Sequence, residues 1–345
     1  MRVTVKKIVK TLGIIALSLI SILILFWFGL SICSTLNIPE ANQVDYIKGV
    51  WIPVPPDWFT AYKDLDRMKE DGINTVSIGP FALNHAMSII QRPFVAQFVN
   101  KAHQKGMAVH IAVNCWGPGF DTHNPHPEMK DLLTKEALYW AEFSEKHNVE
   151  FFSPQNEGDV VLGRAGYEDW AQEILPQIRE IYAGKVVLKV GNVMAAEPSE
   201  VDYTIRIESF DPNGAFDVLI GFPDTAGYDY LMIDIFPPDH LEDNEKFLGD
   251  LERILLAAQE EVEKKNIDGV MIGEFGYPLE KPGLSASIMP GPISTPEEQA
   301  EYIDGYLETV MPLADGVIYC GWSMQGYGFK DEPAEDVIKE WFTKY

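Results

Sequence analysis

Two glutamates stand where runs of apolar residues break. Glu157 closes Phe151-Phe152-Ser153-Pro154-Gln155-Asn156-Glu157-Gly158, and Glu274 falls within Val270-Met271-Ile272-Gly273-Glu274-Phe275-Gly276-Tyr277. Two carboxyl groups flanking one bound group can cleave a glycosidic bond. One protonates the leaving oxygen, and the other attacks the anomeric carbon or activates water. A separation of ~5–5.5 Å makes the reaction retaining, through a covalent glycosyl-enzyme. A negatively charged nucleophile also raises the acid's affinity for its proton. Taken singly, either glutamate could equally be a solvated loop residue or a helix-cap partner. Its weight comes from the elements that carry it.

From residue 47 onward, eight β-branched runs alternate with amphipathic stretches: Ile47–Val54, Asn74–Phe81, Ala108–Trp116, Glu150–Glu157, Val186–Asn192, Tyr230–Phe236, Gly269–Phe275 and Gly316–Ser323. The intervening helical patterns are Trp58–Glu70, Pro93–Lys105, Met129–His147, Tyr167–Tyr182, Glu245–Lys265 and Pro296–Met311, with a closing helix over Pro333–Phe342. Such alternation in a chain of this length predicts an α/β fold, a (β/α)8 TIM barrel. The two glutamates then close the fourth and seventh strands, across the barrel mouth from one another, where barrel enzymes build their sites. Between the fifth and sixth strands, residues 193–229 contain two short β-like runs and no evident helix, which predicts an irregular insertion.

Strand alternation sorts side chains between lumen and helix layer. It turns His110, Ala112, Asn114 and Trp116 inward on the third strand, Lys189 and Gly191 on the fifth, and Tyr230, Met232, Asp234 and Phe236 on the sixth. A buried ammonium is costly unless paired, so Lys189 and Asp234 are expected to form an ion pair beneath the site. His110 and Asn114 are candidates for sugar hydroxyls or for a satisfied lumen network. Trp51, Trp58, Trp116 and Trp322 lie near strand C-termini, where an aromatic face suits a pyranose ring as well as it suits the core. Tyr277, close behind Glu274, joins the substrate-facing candidates. The long loop Pro278–Thr295, rich in Gly, Pro and Ser, reads as a wall of the cleft. Asp121, His123 and His126 share a loop but lack metal-ligand spacing, so neither metal nor cofactor is expected. Cys115 and Cys320 fall on the third and eighth strands and are expected as free, buried thiols.

With these residues in place the sequence resembles clan A of the retaining glycoside hydrolases. The resemblance rests on Asn156-Glu157, Glu274 and Trp322, and it spans the body from Lys48-Gly49-Val50-Trp51 to Gly321-Trp322-Ser323. It implies that Glu157 is the acid/base, Glu274 the nucleophile, Asn156 the partner of the sugar 2-hydroxyl and Trp322 part of the sugar platform. The chain departs from the pattern at the end of the sixth strand. Many clan members support the nucleophile there with a tyrosine, whereas this chain has Asp234-Ile235-Phe236-Pro237-Pro238, with Tyr230 and Tyr277 as the nearest alternatives. Within the clan it is similar to endo-β-mannanases and endo-β-galactanases. The function implied is hydrolysis of a β-linked oligo- or polysaccharide. A catalytically inactive glycan-binding barrel and a cell-envelope transglycosylase stay open beside it.

The 345 residues carry 27 Lys+Arg against 52 Asp+Glu, a formal charge of −25, which excludes a broad nucleic-acid-binding face. The basic residues are unevenly placed. Arg2, Lys6, Lys7 and Lys10 precede a stretch from Thr11 to Pro39 without any charge, leaving 23 basic and 52 acidic residues, a balance of −29, for the rest. The apolar run Ile14–Ile32 is long enough to cross a hydrocarbon core of ~30 Å. Its basic flank predicts a membrane anchor with the body on the extracytoplasmic side. A cleaved signal peptide, or lipidation at Cys33, would give the same outward-facing body. The expected organisation is an anchor over 1–33, a tether over 34–46 and one barrel over 47–345.

Overall fold

The computed structural model describes residue 29 and residues 38–52, 55–115, 126–191, 205–208, 217–220, 222–237, 244–279, 293–324 and 326–345. All of the anchor segment but residue 29, together with Trp116, Asp121, His123 and most of the loop after the seventh barrel strand, lies outside these residues. Among the described residues, no helix is long and apolar enough to cross a membrane.

Ten strands are described: β1 (Ile47–Ile52), β2 (Thr75–Ile78), β3 (Ala108–Ala112), β4 (Phe151–Ser153), β5 (Lys185–Val190), β6 (Ile205–Glu208), β7 (Asp217–Ile220), β8 (Tyr230–Asp234), β9 (Gly269–Phe275) and β10 (Gly316–Cys320). Eight of them close a parallel barrel in the order β1-β2-β3-β4-β5-β8-β9-β10. The fourth and seventh barrel strands are therefore β4 and β9. β5 pairs directly with β8, while β6 and β7 form a separate antiparallel pair, Ile205 opposite Ile220. The expected insertion is thus a two-stranded excursion outside the barrel.

The helices are α1 (Pro55–Glu70), α2 (His85–Gln104), α3 (Lys130–Lys146), α4 (Gly158–Leu162), α5 (Arg164–Ile181), α6 (Asn244–Lys265), α7 (Pro296–Val310) and α8 (Pro333–Lys344). Thr295 and Glu298 start α7 with a reciprocal capping box. α2 begins well before the expected Pro93, because the Asn84 side chain accepts from the Met87 amide and opens the helix there; Pro93 is carried inside it.

Barrel strands are covered on both faces, so they read as near-continuous apolar runs. Their side chains divide between two cores. One fills the layer between barrel and helices, including Trp140, Phe152, Trp170, Phe275 and Trp322. The other fills the lumen with Trp51, Phe151, Val187, Met232, Met271, Ile318 and Cys320 among others.

The described part of the expected tether is bonded to the barrel floor. Asn42 donates through Nδ2 to His103 O and Met107 O, both at 3.2 Å, and through its amide to the Glu150 carboxylate. Val44 packs against the lumen cluster from below.

Candidate active site

After Ser153 the β4 chain turns through Pro154, Gln155 and Asn156 to Glu157. The Asn156 amide donates to Val113 O at 2.6 Å, which ties the turn to β3. Glu157 takes a left-handed backbone conformation, φ 49° and ψ 51°, just before α4. A non-glycine residue there is unusual and is held by its surroundings. Gly158 follows because a Cβ would lie 2.1 Å from the Tyr167 ring, and the Tyr167 hydroxyl in turn donates to Lys189 O at 2.9 Å.

Glu274 reaches the mouth through a β-bulge. The register between β8 and β9 shifts so that Ile233 faces Ile272 and Asp234 faces Glu274, passing over Gly273. Met271 points into the lumen and Ile272 into the helix layer. Strict alternation would therefore turn Gly273 inward and Glu274 outward, and the extra residue brings Glu274 back into the lumen. No side chain fits at 273, where a Cβ would lie 2.3 Å from Asp234 Oδ1 and 2.9 Å from Lys189 Cε.

Lys189 stands at the centre, wholly buried. Its ammonium donates to Asp234 Oδ2 at 2.8 Å, to Glu274 Oε1 at 2.5 Å and to Asn156 Oδ1, so its three protons meet three acceptors from three strand ends. The Trp51 ring lies beneath, its centroid 5.1 Å from Nζ. Burial alone would lower the lysine pKa, but the charges of Asp234, Glu274 and Glu157 outweigh it and hold the ammonium protonated beyond its usual range. Burial pushes the Asp234 carboxyl up; Lys189 opposes this, and Glu274 and Glu157 add to it. Glu274 is 5 % exposed, and its second oxygen, Oε2, accepts from Cys320 Sγ at 3.4 Å.

The structure thus gathers Asn156, Glu157, Lys189, Asp234 and Glu274 into one group, with the expected Lys189–Asp234 ion pair at its base. Asn114 lies at the rim, 8 % exposed, with a buried Oδ1 that has no partner among the described residues.

Four expected site residues lie elsewhere, and a fifth is covered. Trp322 is wholly buried in the helix layer, where its indole donates to Asp64 Oδ2 at 3.0 Å and packs edge-on against Phe329, so it has no open face for a sugar. Tyr277 is buried in the same layer, stacked on Tyr302. Tyr230 opens β8 and packs against Phe151 near the barrel floor, at the far end of its strand from Asp234. His110 is mid-strand and has both ring nitrogens engaged, Nδ1 with Ser77 Oγ at 2.7 Å and Nε2 with Ser153 Oγ at 2.9 Å, which leaves none for a substrate. Burial, and then Lys189, push its pKa down to about 3, so it is a neutral lumen residue. Trp51 does face the lumen, but Gly79 passes so close over its ring that a Cβ would lie 2.3 Å from it. It supports Lys189 from below.

Two members of the site are not evident from residue type alone. Cys320 is expected only as a buried thiol, yet it shares the inward parity of Ile318 on the strand beside Glu274. Gly273 carried the only sequence signal of the bulge. Cys115 and Cys320 are free and buried.

No family model matches this sequence, and no curated protein is similar to it in sequence. Solved structures are. A GH113 β-1,4-mannanase superposes with a TM-score of 0.59 at 16% identity, over 88% of this chain and 100% of its own. A GH113 β-mannanase from Alicyclobacillus acidocaldarius gives 0.56 at 14% identity, over 88% and 99%. A family 1 β-glucosidase from Thermotoga maritima gives 0.55 at 10% identity, over 89% and 98%. At these identities the likeness is one of fold: the chain shares its eight-stranded barrel with these glycosidases.

Proposed function

We propose that this protein is a retaining glycosidase acting on a β-linked glycan, with Glu157 as acid/base and Glu274 as nucleophile. The reading is carried by the convergence of these glutamates, from the ends of the fourth and seventh barrel strands, around the buried Lys189. In the first step the Glu274 carboxylate bonds to the anomeric carbon while Glu157 gives its proton to the leaving oxygen. In the second, Glu157 takes a proton from water, the water oxygen bonds to the anomeric carbon, and Glu274 leaves as carboxylate. Lys189 compensates the charge of Glu274 in the resting site. Because Asn156 Oδ1 is held by Lys189, its Nδ2, 3.4 Å from Glu157 Oε2, is the group presented to a sugar 2-hydroxyl.

β-Mannan is the first substrate to try, since solved β-mannanases share the fold over their full length; β-galactan is the second. The acidity of the body suits a neutral glycan, because a polyanionic one would be repelled at low salt. Residues 1–33 are proposed to anchor the barrel on the extracytoplasmic side of the membrane, a placement tested by whether alkaline carbonate extracts the chain from membranes.

The catalytic reading is tested by incubating the full chain, in detergent, with β-mannans, galactans, glucans and xylans. Products are followed by mass and by proton NMR of the first-formed anomer. Release of oligosaccharides with the β-anomer first is expected. Inversion would remove the nucleophile role of Glu274, and binding without products would leave a glycan-binding barrel.

A further inference from the structure

Both oxygens of Glu274 are held, by donors of unlike strength. Oε1 takes a charge-assisted hydrogen bond from Lys189 Nζ at 2.5 Å, and Oε2 takes a thiol hydrogen bond from Cys320 Sγ at 3.4 Å. The two donors come from opposite sides of the carboxylate in the barrel order, β5 beyond β8 on one flank and β10 on the other. Cys320 is wholly buried and inward-facing, and it forms no disulfide. Burial and the Glu274 charge hold the thiol protonated well beyond its ordinary range, so it remains a donor.

Among the described residues, the charged groups facing Glu274 are few. They are Lys189 from β5, Asp234 from β8 and Glu157 from the turn after β4, together with the titratable thiol of Cys320 from β10. An ammonium bond strongly stabilises the carboxylate and draws on its charge, whereas S–H is a weak donor. A thiol on Oε2 can therefore fix the rotation of the carboxylate while leaving that oxygen nucleophilic.

We propose that Cys320 is a positioning residue for the nucleophile: its thiol aims Glu274 Oε2 as the oxygen that bonds to the anomeric carbon, while Oε1 stays with Lys189. This takes the place of the tyrosine support that the end of the sixth barrel strand lacks. It rests on the assignment of Glu274 as nucleophile. In the first step the Oε2–carbon bond forms, the bond from the anomeric carbon to the leaving oxygen breaks, and that oxygen takes the Glu157 proton. The thiol keeps its own proton throughout. Oε1 becomes the carbonyl oxygen of the ester, still bonded to Lys189.

The test compares wild type, Cys320→Ala, Cys320→Ser and Cys115→Ala in the full chain. Cys115 is the other described buried thiol, and it packs in the outer core rather than the lumen. The carboxyl carbon resonance of Glu274 is observed by NMR of glutamate-labelled protein at neutral pH and assigned by its loss in Glu274→Gln. Removing a hydrogen-bond donor from one carboxylate oxygen changes the environment of that carbon. A displaced resonance is expected in Cys320→Ala, with return toward the wild-type position in Cys320→Ser and no displacement in Cys115→Ala. On any glycan the wild type hydrolyses, kcat should fall on the order of tenfold in Cys320→Ala with KM unchanged, the size of one lost hydrogen bond. An unmoved Glu274 resonance in Cys320→Ala, or the same displacement in Cys115→Ala, would overturn the proposal. The resonance reads without turnover, so failure of this inference is separate from failure of the glycosidase reading.

Discussion

The two ends of the barrel use charge in opposite ways. At the floor, cations and anions are matched: Arg179 with Asp229 at 2.7 Å, Lys185 with Asp268 at 2.6 Å, and Glu150 between His103 Nε2 at 3.1 Å and the Val109 amide at 2.8 Å. At the mouth, three carboxyl groups, Asp234, Glu274 and Glu157, act on one buried ammonium, that of Lys189. A matched set of charges holds a fold together. An unmatched one stores polar capacity that a substrate, a proton or a developing positive charge can use.

The comparison can be broken most forcibly at Lys189. Replacing it with Met leaves Asp234 and Glu274 buried without their cation, and a loss of about 3–5 kcal/mol in urea unfolding is expected, together with loss of any glycan hydrolysis. If the variant unfolds at the wild-type urea midpoint, the ammonium is not what compensates these carboxylates.

Between the two ends, in the lumen, His110 links the site to pH. Its pKa in the fold is pushed down to about 3, below the ordinary 6.5. Across that window the unfolded chain binds more protons than the folded one, so stability rises with pH and is lost as pH falls from about 6.5 toward 3. His147, pushed down to about 4 by burial, then Lys146 and Arg92, acts in the same sense near the floor. Roughly 2 kcal/mol per such histidine should disappear between pH 6.5 and 5. Urea midpoints at the two pH values measure the change, and replacing His110 with Gln should remove about half of it, His147 keeping the rest. A stability that is level over this range would contradict the buried neutral histidine.

The smallest effect is expected at the floor. Asn42→Ala removes the two hydrogen bonds to the ends of α2 and to Met107, so about 1–2 kcal/mol of stability should go while kcat on any accepted glycan stays unchanged. A fall in kcat at unchanged stability would mean that the two ends are not independent.

Much of this was legible in the sequence for a definite reason. Parallel barrel strands are covered on both faces, so each appears as an unbroken β-branched run, and parity within a run indicates which side chains meet in the lumen. That parity placed Lys189 beside Asp234 across β5 and β8. It could not place Glu274, because the bulge at Gly273 resets the alternation and leaves only a glycine as its trace. Aromatic residues depart from expectation where strands begin and end. Trp322 lies beyond Gly321, whose φ of 89° turns the chain away from the lumen, and its indole finds Asp64 instead of a sugar. Tyr230 was misassigned by strand polarity: it starts β8, and a barrel site is built where strands finish. The start of α2 was missed because Pro93 resembles a first-turn proline, whereas the Asn84 cap had already opened the helix.

The most direct test of the central claim is covalent trapping. The full chain is incubated with an activated 2-deoxy-2-fluoro-β-mannoside, whose glycosyl-enzyme turns over slowly, and is then examined by intact mass and peptide mapping. A mass gain of one fluorosugar on Glu274, absent from Glu274→Gln, is the predicted result. A sugar found on any other residue would contradict the assignment of Glu274 as nucleophile.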